Sequence, residues 1–253
     1  MILYFHSDAL ILKNSDYRES DKLVTVFSRE KGKIRAVARG VKKPRSSLRA
    51  CVQPFCHTHL FFNQGKGLDS LTQGKLLHFF PNCREDFSRL LDAIYLIELL
   101  DKTTMERAAL PELFDTALEV LTVLDDQGEN PLLMRFFEVH LLVELGYHPE
   151  LAHCVHCGQT VKSPTAFDLP QGGVVCSSCA AGSGSNFPLA ADSLALFRFL
   201  TTASPAILNR IKPSPPALNQ LELFLEKYLE YHLEQRFQIR TTIRKLKKAL
   251  PGV

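Results

Sequence analysis

The first residues that could do chemistry are four of the seven cysteines, which form two C-x-x-C pairs. Cys154 and Cys157 make the first pair, Cys176 and Cys179 make the second, and eighteen residues separate them. A C-x-x-C segment turns sharply enough to direct two thiolates at one ion, and zinc prefers four soft ligands in a tetrahedron. Because this spacing is typical of four-cysteine zinc sites, we predict one Zn²⁺ bound by these residues.

A zinc ion on four cysteines is predicted to be structural. Four thiolates fill the coordination shell, whereas a catalytic zinc keeps one position open for water or substrate. The remaining cysteines, Cys51, Cys56 and Cys83, lack a paired spacing. We interpret them as small buried apolar side chains.

One catalytic alternative involves His148-Pro149-Glu150, which precedes the first cysteine pair. This order is similar to the zinc deaminase signature, in which the histidine binds zinc and the glutamate transfers protons. Against it, Cys154 does not follow a proline, only three residues separate it from Glu150, and the second pair would be surplus. The sequence also lacks a phosphate-binding glycine loop, G-x-S-x-G and H-E-x-x-H. We therefore predict no catalytic residues and no enzyme activity.

The second chemical feature is an uneven distribution of charge. The net charge is only +3, yet residues 29–49 contain nine Lys or Arg and one acid, whereas residues 84–150 contain fifteen acids and five Lys or Arg. Clustered cations of this kind neutralise phosphates and indicate a nucleic-acid contact. The predicted DNA-binding residues are Lys31, Lys33, Arg35, Arg39, Lys42, Lys43, Arg45 and Arg49.

A second basic segment, residues 236–253, has six Lys or Arg and no acid. It gives a possible second DNA contact at Arg240, Arg244, Lys245, Lys247 and Lys248. The alternative is a solvated helix end whose cations interact favourably with the helix dipole, and the sequence leaves both open.

The first eighty residues must position the main basic segment, and they read as β-structure. Strand candidates are residues 8–14, 22–28, 33–41, 52–63 and 70–80. Within 33–41 apolar and basic residues alternate, which puts cations on one side of a strand and apolar residues on the other. Five short strands favour a small closed barrel, because closure removes exposed edges.

Barrels of the OB type bind single strands with a cationic groove and aromatic platforms for the bases. Candidate platforms are Tyr17, Phe27, Phe55 and Phe61. Core packing is the alternative for each of them, since aromatic side chains dominate small cores.

From Pro81 onwards the apolar period changes to that of helices, with helix starts at Asn82, Pro111 and Asn130-Pro131 and an end at Gly146. Residues 147–186 interrupt this pattern and contain the paired cysteines. The predicted fold class is α+β: an OB-fold DNA-binding domain at 1–80, then a helical domain at 81–253 with an inserted four-cysteine zinc ribbon at about 147–186.

The sequence also suggests where the protein works. The first twenty residues are too charged for the apolar region of a signal peptide, and Glu98 interrupts the most apolar stretch, Ile94 to Leu100. We therefore expect a cytoplasmic protein with no membrane partner, whose cysteines serve metal binding or burial rather than disulfides.

The chain resembles the RecO family of bacterial DNA repair proteins. The resemblance rests on residues 7–44 (SDALILKNSDYRESDKLVTVFSREKGKIRAVARGVKKP), on G-Y-H-P-E-L-x-x-C-V-x-C-G at 146–158 and on C-S-S-C at 176–179. It implies an N-terminal OB-fold and a helical domain with a zinc module. It also implies a nucleoid-associated protein that binds single- and double-stranded DNA and anneals strands coated with single-stranded-DNA-binding protein. Recombinase loading together with the partner RecR is implied as well.

Three alternatives remain beside this interpretation. The chain could be a zinc-ribbon RNA-binding or transcription-associated module without annealing activity. It could be a metal-dependent hydrolase or deaminase, which predicts turnover that is lost with zinc. It could also be a scaffold acting through its acidic helices, which predicts protein partners and no DNA affinity.

Overall fold

The computed structural model describes residues 4–161, 166–180 and 186–234, together with Phe237, Arg240, Thr242, Ile243, Lys245 and Leu246. They form two compact units, one made of the described residues up to 128 and after 242, the other of those between 129 and 242. Residues 81–128 thus group with the N-terminal strands, whereas the sequence pattern predicted a domain boundary after residue 80.

The N-terminal strands of the first unit close into a barrel. They are β1 (Tyr4–Asp16), β2 (Lys22–Ser28), β3 (Gly32–Ala38), β4 (His57–Asn63) and β5 (Asp69–His78). Their order is β1-β2-β3-β5-β4, and β4 pairs with β1 to complete the circle. Neighbours are antiparallel except β3 and β5, which are parallel. A closed five-stranded barrel of this kind is the OB-like architecture predicted from the sequence.

Strand alternation fills the barrel. Ile34 and Ala36 of β3 point into the core with Val24, Val26 and Leu60, as the predicted alternation requires. The strand predicted from residue 52 begins only at His57. The preceding residues instead form a short helix, α1 (Leu48–Cys51), and a turn in which Phe55 takes a left-handed φ of 50°.

Three helices complete the first unit: α2 (Pro81–Glu85), α3 (Phe87–Thr103) and α4 (Pro111–Gln127). The helix predicted to run on from Asn82 is interrupted at Asp86. The carboxylate of Asp86 accepts a hydrogen bond from the backbone N–H of Arg89 at 2.9 Å and so caps α3. The Asn82 side chain donates to the carbonyl of Asp125 instead of capping.

The second unit surrounds a small sheet with helices. Its elements are α5 (Pro131–Glu144), β6 (Ala166–Asp168), β7 (Gly173–Val175), α6 (Ser177–Ala180), β8 (Asn186–Pro188), α7 (Ala191–Leu200), a 3₁₀ helix (Pro205–Arg210) and α8 (Pro215–Leu233). The sheet order is β7-β6-β8. Phe167 of β6 packs in the core against Phe224 and Tyr228 of α8, which joins the sheet to the helices.

Both ends of α5 follow the sequence signals. The Asn130 side chain accepts from the N–H of Leu132 at 2.8 Å. At the other end, Gly146 has a φ of 91°, its N–H donates to Val143 and the N–H of Tyr147 donates to Leu142. This is a Schellman end, which favours glycine. Among the described helices, none is long and apolar enough to cross a membrane.

Candidate metal centre and nucleic-acid interface

The two cysteine pairs meet in the second unit. Cys154 and Cys157 lie in a turn closed by a hydrogen bond from the N–H of Gly158 to the carbonyl of Cys154, at 2.8 Å. Gly158 has a φ of 73°, a conformation that favours glycine. Cys176 directly follows β7, and Cys179 lies in α6.

The four sulfur atoms all lie within 4.8 Å of one another. A tetrahedral zinc with Zn–S bonds of about 2.3 Å requires S–S separations of about 3.8 Å. The Sγ atoms of Cys157 and Cys176 are 3.8 Å apart. The donor set and its spacing therefore fit one metal ion of the zinc type, held by all four cysteines.

The backbone around Cys154 favours a thiolate. Burial of this side chain opposes ionisation, but N–H groups of Cys176, Cys157 and His156 point at its sulfur. The net result lowers the pKa of the Cys154 thiol to about 6. The N–H of Cys176 lies 3.4 Å from the sulfur and links the two pairs directly. Metal binding requires the thiolate, so this surrounding favours the ligand form.

Glu150 and His156 lie near the cysteine cluster, and both have partners outside it. The Glu150 carboxylate accepts from the backbone N–H groups of His153 (2.9 Å) and Ala152 (2.7 Å), which lowers its pKa. His156 lies 3.0 Å from the carboxylate of Asp168. Glu150 therefore braces the turn that leads into the first cysteine pair, in contrast to the proton-transferring glutamate of a deaminase.

The predicted DNA-binding cations lie in the first unit and separate into two groups. The first group is exposed and makes no ion pair within 4 Å to any residue that the structure describes. We call these residues the open cations: Lys31, Arg39, Lys43, Arg45 and Arg49.

The second group is already engaged. The Lys33 ammonium donates to the carbonyl of Asp101 at 2.7 Å, and burial lowers its pKa. Arg35 lies 4.0 Å from Glu106, and Lys42 lies 2.9 Å from Asp16. The alternating cations of β3 are thus less available than the strand pattern alone suggested. The cause is α3, which contains Asp101, together with the segment that follows it, whose Glu106 forms a parallel bridge with Lys33.

A groove lies next to Arg39, one of the open cations. It has a volume of about 290 Å³ and separates the β1–β2 turn from the β4–β5 connection. Tyr17, Arg18, Arg39 and Asn63 are among its lining residues. The Arg18 guanidinium sits 5.5 Å above the Tyr17 ring. The sequence pattern did not predict Arg18, because it is a single cation among the acids Asp16, Glu19 and Asp21 and so belongs to no basic cluster.

The four candidate aromatic platforms divide into two buried and two exposed residues. Phe27 and Phe55 are fully buried, so both belong to the core and the platform interpretation was wrong for them. Tyr17 and Phe61 are 45% and 38% exposed. Cys51, Cys56 and Cys83 are buried, which confirms their prediction as apolar core residues.

The C-terminal contact requires a correction at Arg240. Its side chain is buried, with Nη1 3.5 Å from Glu138 and Nη2 3.9 Å from Glu222. A buried arginine held between the buried Glu138 and the half-buried Glu222 cannot reach a phosphate without leaving the core. Lys245 is exposed. Arg244, Lys247 and Lys248 lie outside the described residues.

Comparison with known proteins places both parts of the chain in one family. Residues 1–80 match the family model "Recombination protein O N terminal", and residues 84–240 match "Recombination protein O C terminal". The DNA repair protein RecO of Syntrophomonas wolfei is 52% identical over 249 residues, covering 98% of this chain and 99% of that relative. The DNA repair protein RecO of Shouchella clausii is 32% identical over 241 residues, covering 95% of this chain and 94% of that relative.

These matches span the barrel, the helices and the cysteine cluster in the order described above, with little left uncovered at either end. The chain therefore belongs to the RecO family of DNA repair proteins.

Proposed function

We propose that this protein binds single- and double-stranded DNA through its N-terminal barrel, anneals complementary strands and helps load recombinase onto single-stranded DNA. The observation that carries the proposal is the group of open cations on a closed barrel, one of which, Arg39, lines the groove. Exposed cations without acidic partners can neutralise phosphates at no loss of internal ion pairs. OB-type barrels use this same region, between the β1–β2 and β4–β5 loops, for oligonucleotides.

Annealing follows from the same charges. Two complementary strands repel each other through their phosphates, and a cationic surface screens that repulsion while the base edges stay available for pairing. The reaction makes and breaks no covalent bond. We therefore propose a binding protein without enzyme activity, in agreement with the engagement of Glu150 by backbone N–H groups.

We propose that the cysteine cluster binds one structural Zn²⁺ through Cys154, Cys157, Cys176 and Cys179. Four thiolates saturate a tetrahedral ion, so such an ion stabilises the fold and offers no site for substrate. The bound ion would hold the turn at 154–157 against α6, which the described contacts between the two pairs support.

The proposed protein partners and location rest on family membership. They are single-stranded-DNA-binding protein, RecR and a cytoplasmic, nucleoid-associated setting. The domain assignment, with DNA binding in residues 1–80 and the zinc module at about 147–186, is likewise part of the proposal. DNA contact by Lys245 of the C-terminal segment is proposed as secondary, and Arg240 is left out because it is buried.

The test compares annealing by the natural protein with the triple variant Arg39→Glu, Lys43→Glu and Arg45→Glu. The control is Lys13→Gln, because Lys13 is exposed but already paired with Asp101 at 2.5 Å. We expect the natural protein and the control to anneal complementary oligonucleotides, with and without single-stranded-DNA-binding protein. The triple variant should anneal at least about tenfold more slowly, since three phosphate contacts are replaced by repulsion.

Salt dependence gives a second measurement on the same variants. Each phosphate contact contributes about 0.7 to 0.9 to the slope of log affinity against log salt concentration. The magnitude of this slope should therefore be smaller by about 2 to 3 in the triple variant. In the control it should be almost unchanged. An unchanged annealing rate and slope in the triple variant would overturn the proposed surface. Tight binding to RNA without annealing would instead favour the RNA-binding alternative.

A further inference from the structure

The outer side of the β1–β4 pair carries a cluster of aromatic rings that do not line the groove. We call Tyr4, His6, His59 and Phe61 the ring face. The His6 ring lies 5.0 Å from the His59 ring and 5.5 Å from the Phe61 ring, and the latter two are 5.2 Å apart. Tyr4 is 65% exposed and Phe61 is 38% exposed.

The barrel core does not require these rings. Strand alternation turns Leu60 and Phe62 inward, where they are fully buried, and leaves Phe61 on the outside between them. Isolated exposed apolar residues are ordinary, but a contiguous group of rings marks an interaction surface. The ring face therefore offers flat π-surfaces that the folded chain leaves in contact with water.

The charges on this side of the barrel suit a polyanion. One acid on this side, Asp8, already has a partner, because its carboxylate lies 2.6 Å from Nδ1 of His59. Lys75 belongs to β5, which pairs with the other edge of β4, and it is the register partner of His59. Lys75 is exposed and has no acidic partner within 4 Å in the part of the chain that the structure describes.

The ring face also continues the groove. Asn63 lines the groove at the end of β4, and the register of β1 and β4 pairs Asn63 with Tyr4. The next outward pair along the strands is His6 with Phe61, followed by Asp8 with His59. A chain that leaves the groove at Asn63 therefore meets Tyr4 first and then the other rings.

We propose that the ring face is a base-stacking site for single-stranded DNA, which receives the unpaired bases of a strand as it leaves the groove. The inference rests on the proposed function and adds to it the part of the surface that distinguishes single strands from duplex. Unstacked bases expose their π-faces and can stack on aromatic side chains, whereas duplex bases are already stacked on one another. Stacking of this kind tolerates any base sequence.

The principal test is Phe61→Ala together with Tyr4→Ala, measured by binding to single-stranded and double-stranded DNA. We expect affinity for a single strand to fall by at least about tenfold, the loss of a base–aromatic stack. Affinity for duplex should stay within about twofold of the natural protein. Leu77→Ala is the matched control, because Leu77 is an exposed apolar residue of the adjacent strand β5 without a ring.

Two substitutions of Phe61 alone separate ring chemistry from apolar bulk. Phe61→Leu keeps the apolar volume and should lose single-strand affinity, whereas Phe61→Tyr should retain it. The effect should appear with oligonucleotides of about 16 nucleotides and vanish with about 4, the two extremes of OB-fold site size. Thermal unfolding of each variant checks that the barrel is intact.

A direct readout uses the absence of tryptophan from the chain. Phe61→Trp places the sole tryptophan on the ring face, where base stacking should quench its fluorescence on addition of single-stranded DNA. Met105→Trp is the solvent-exposed control in the same unit, and its fluorescence should change little.

The outcomes distinguish this inference from the proposed function. If the natural protein binds no DNA, the proposed function fails. If it binds single strands through the open cations, but Phe61→Leu binds them equally well and Phe61→Trp is not quenched, only the ring-face inference is overturned.

Discussion

The surroundings of Arg240 determine the role of this side chain more than its charge does. Arg240, Arg135 and Glu138 are all buried in the second unit, and Arg135 lies 2.8 Å from Glu138. Burying charges is unfavourable unless they are paired, so each member of this cluster depends on the others. Arg240 thereby attaches the chain after α8 to α5, because Glu138 belongs to that helix.

We predict that Arg240→Ala lowers the free energy of unfolding by about 3 kcal/mol, because it leaves the buried Glu138 carboxylate with one cation fewer. Lys245→Ala, at an exposed position, should change it by less than about 0.5 kcal/mol. Urea unfolding followed by circular dichroism measures both. Equal stability of the two variants would contradict the anchoring role of Arg240.

His140 gives stability a pH dependence. Burial lowers its pKa below the ordinary value of 6.5, although the Leu200 carbonyl, 3.2 Å from its Nε2, acts in the opposite direction. The native state therefore resists protonation more than the unfolded chain does. The stability contribution is present above pH 6.5 and is lost as the pH falls below that value toward the lower native pKa.

We predict that His140→Gln flattens this dependence, because glutamine keeps a donor for Leu200 and does not titrate. The slope that it removes is at most about 1.4 kcal/mol per pH unit. Urea unfolding at several pH values between about 5 and 7.5 compares the variant with the natural protein. If the plots of unfolding free energy against pH ran parallel for the variant and the natural protein, the prediction would be wrong.

At the scale of elements, the segment after α3 acts as a partial cover for β3. The N–H of Arg107 donates to the carbonyl of Lys33 at 3.0 Å, and Ala108 lies against Gly32. A Cβ atom on Gly32 would stand 2.0 Å from the Ala108 carbonyl oxygen. Gly32 also has a φ of 67°, so glycine serves both the hairpin turn and the close approach of this segment.

Gly32→Ala should therefore destabilise the first unit more than Gly40→Ala does. Gly40 has a similar φ of 64°, but its nearest contact is the flexible Lys43 side chain at 3.6 Å. The backbone penalty alone is about 1–2 kcal/mol and applies to both. Displacement of residue 108 should bring the Gly32→Ala loss to about 3 kcal/mol or more. Urea unfolding tests the difference, and equal losses would exclude a packing role for the segment.

At the scale of the whole molecule, the two candidate sites lie in different compact units. The cysteine cluster belongs to residues 129–242, whereas the groove and the open cations belong to residues 1–128. A metal that acts only on the fold should therefore affect the stability of the second unit and leave the DNA surface of the first unit intact.

We predict that a strong chelator, or Cys154→Ser with Cys179→Ser, removes one zinc per chain and lowers the melting temperature of the second unit by about 10 °C or more. Single-strand affinity should stay within about twofold. Cys83→Ala should retain the metal, because Cys83 is a buried core residue outside the cluster. Metal content, calorimetry and binding measure the three quantities. A parallel loss of metal and DNA affinity would contradict a purely structural ion.

The sequence by itself determined the features that depend on near neighbours. The two C-x-x-C turns named the four residues that meet at one point. The alternation in residues 33–38 indicated which side of β3 is buried, and Asn130 and Gly146 marked the ends of α5. These signals are local, because the backbone period and the turn conformation of each segment follow from the residues within it.

Only the tertiary structure decided which cations and rings remain available. Lys33 and Arg240 are equivalent in sequence to the open cations, but their partners, Asp101 and Glu138, lie far away along the chain. Phe27 and Phe61 are both strand residues, yet only Phe61 is exposed, because Phe114 of α4 packs against Phe27. Whether a charge or a ring stays exposed depends on which distant segment packs against it, and no pattern within one segment contains that information.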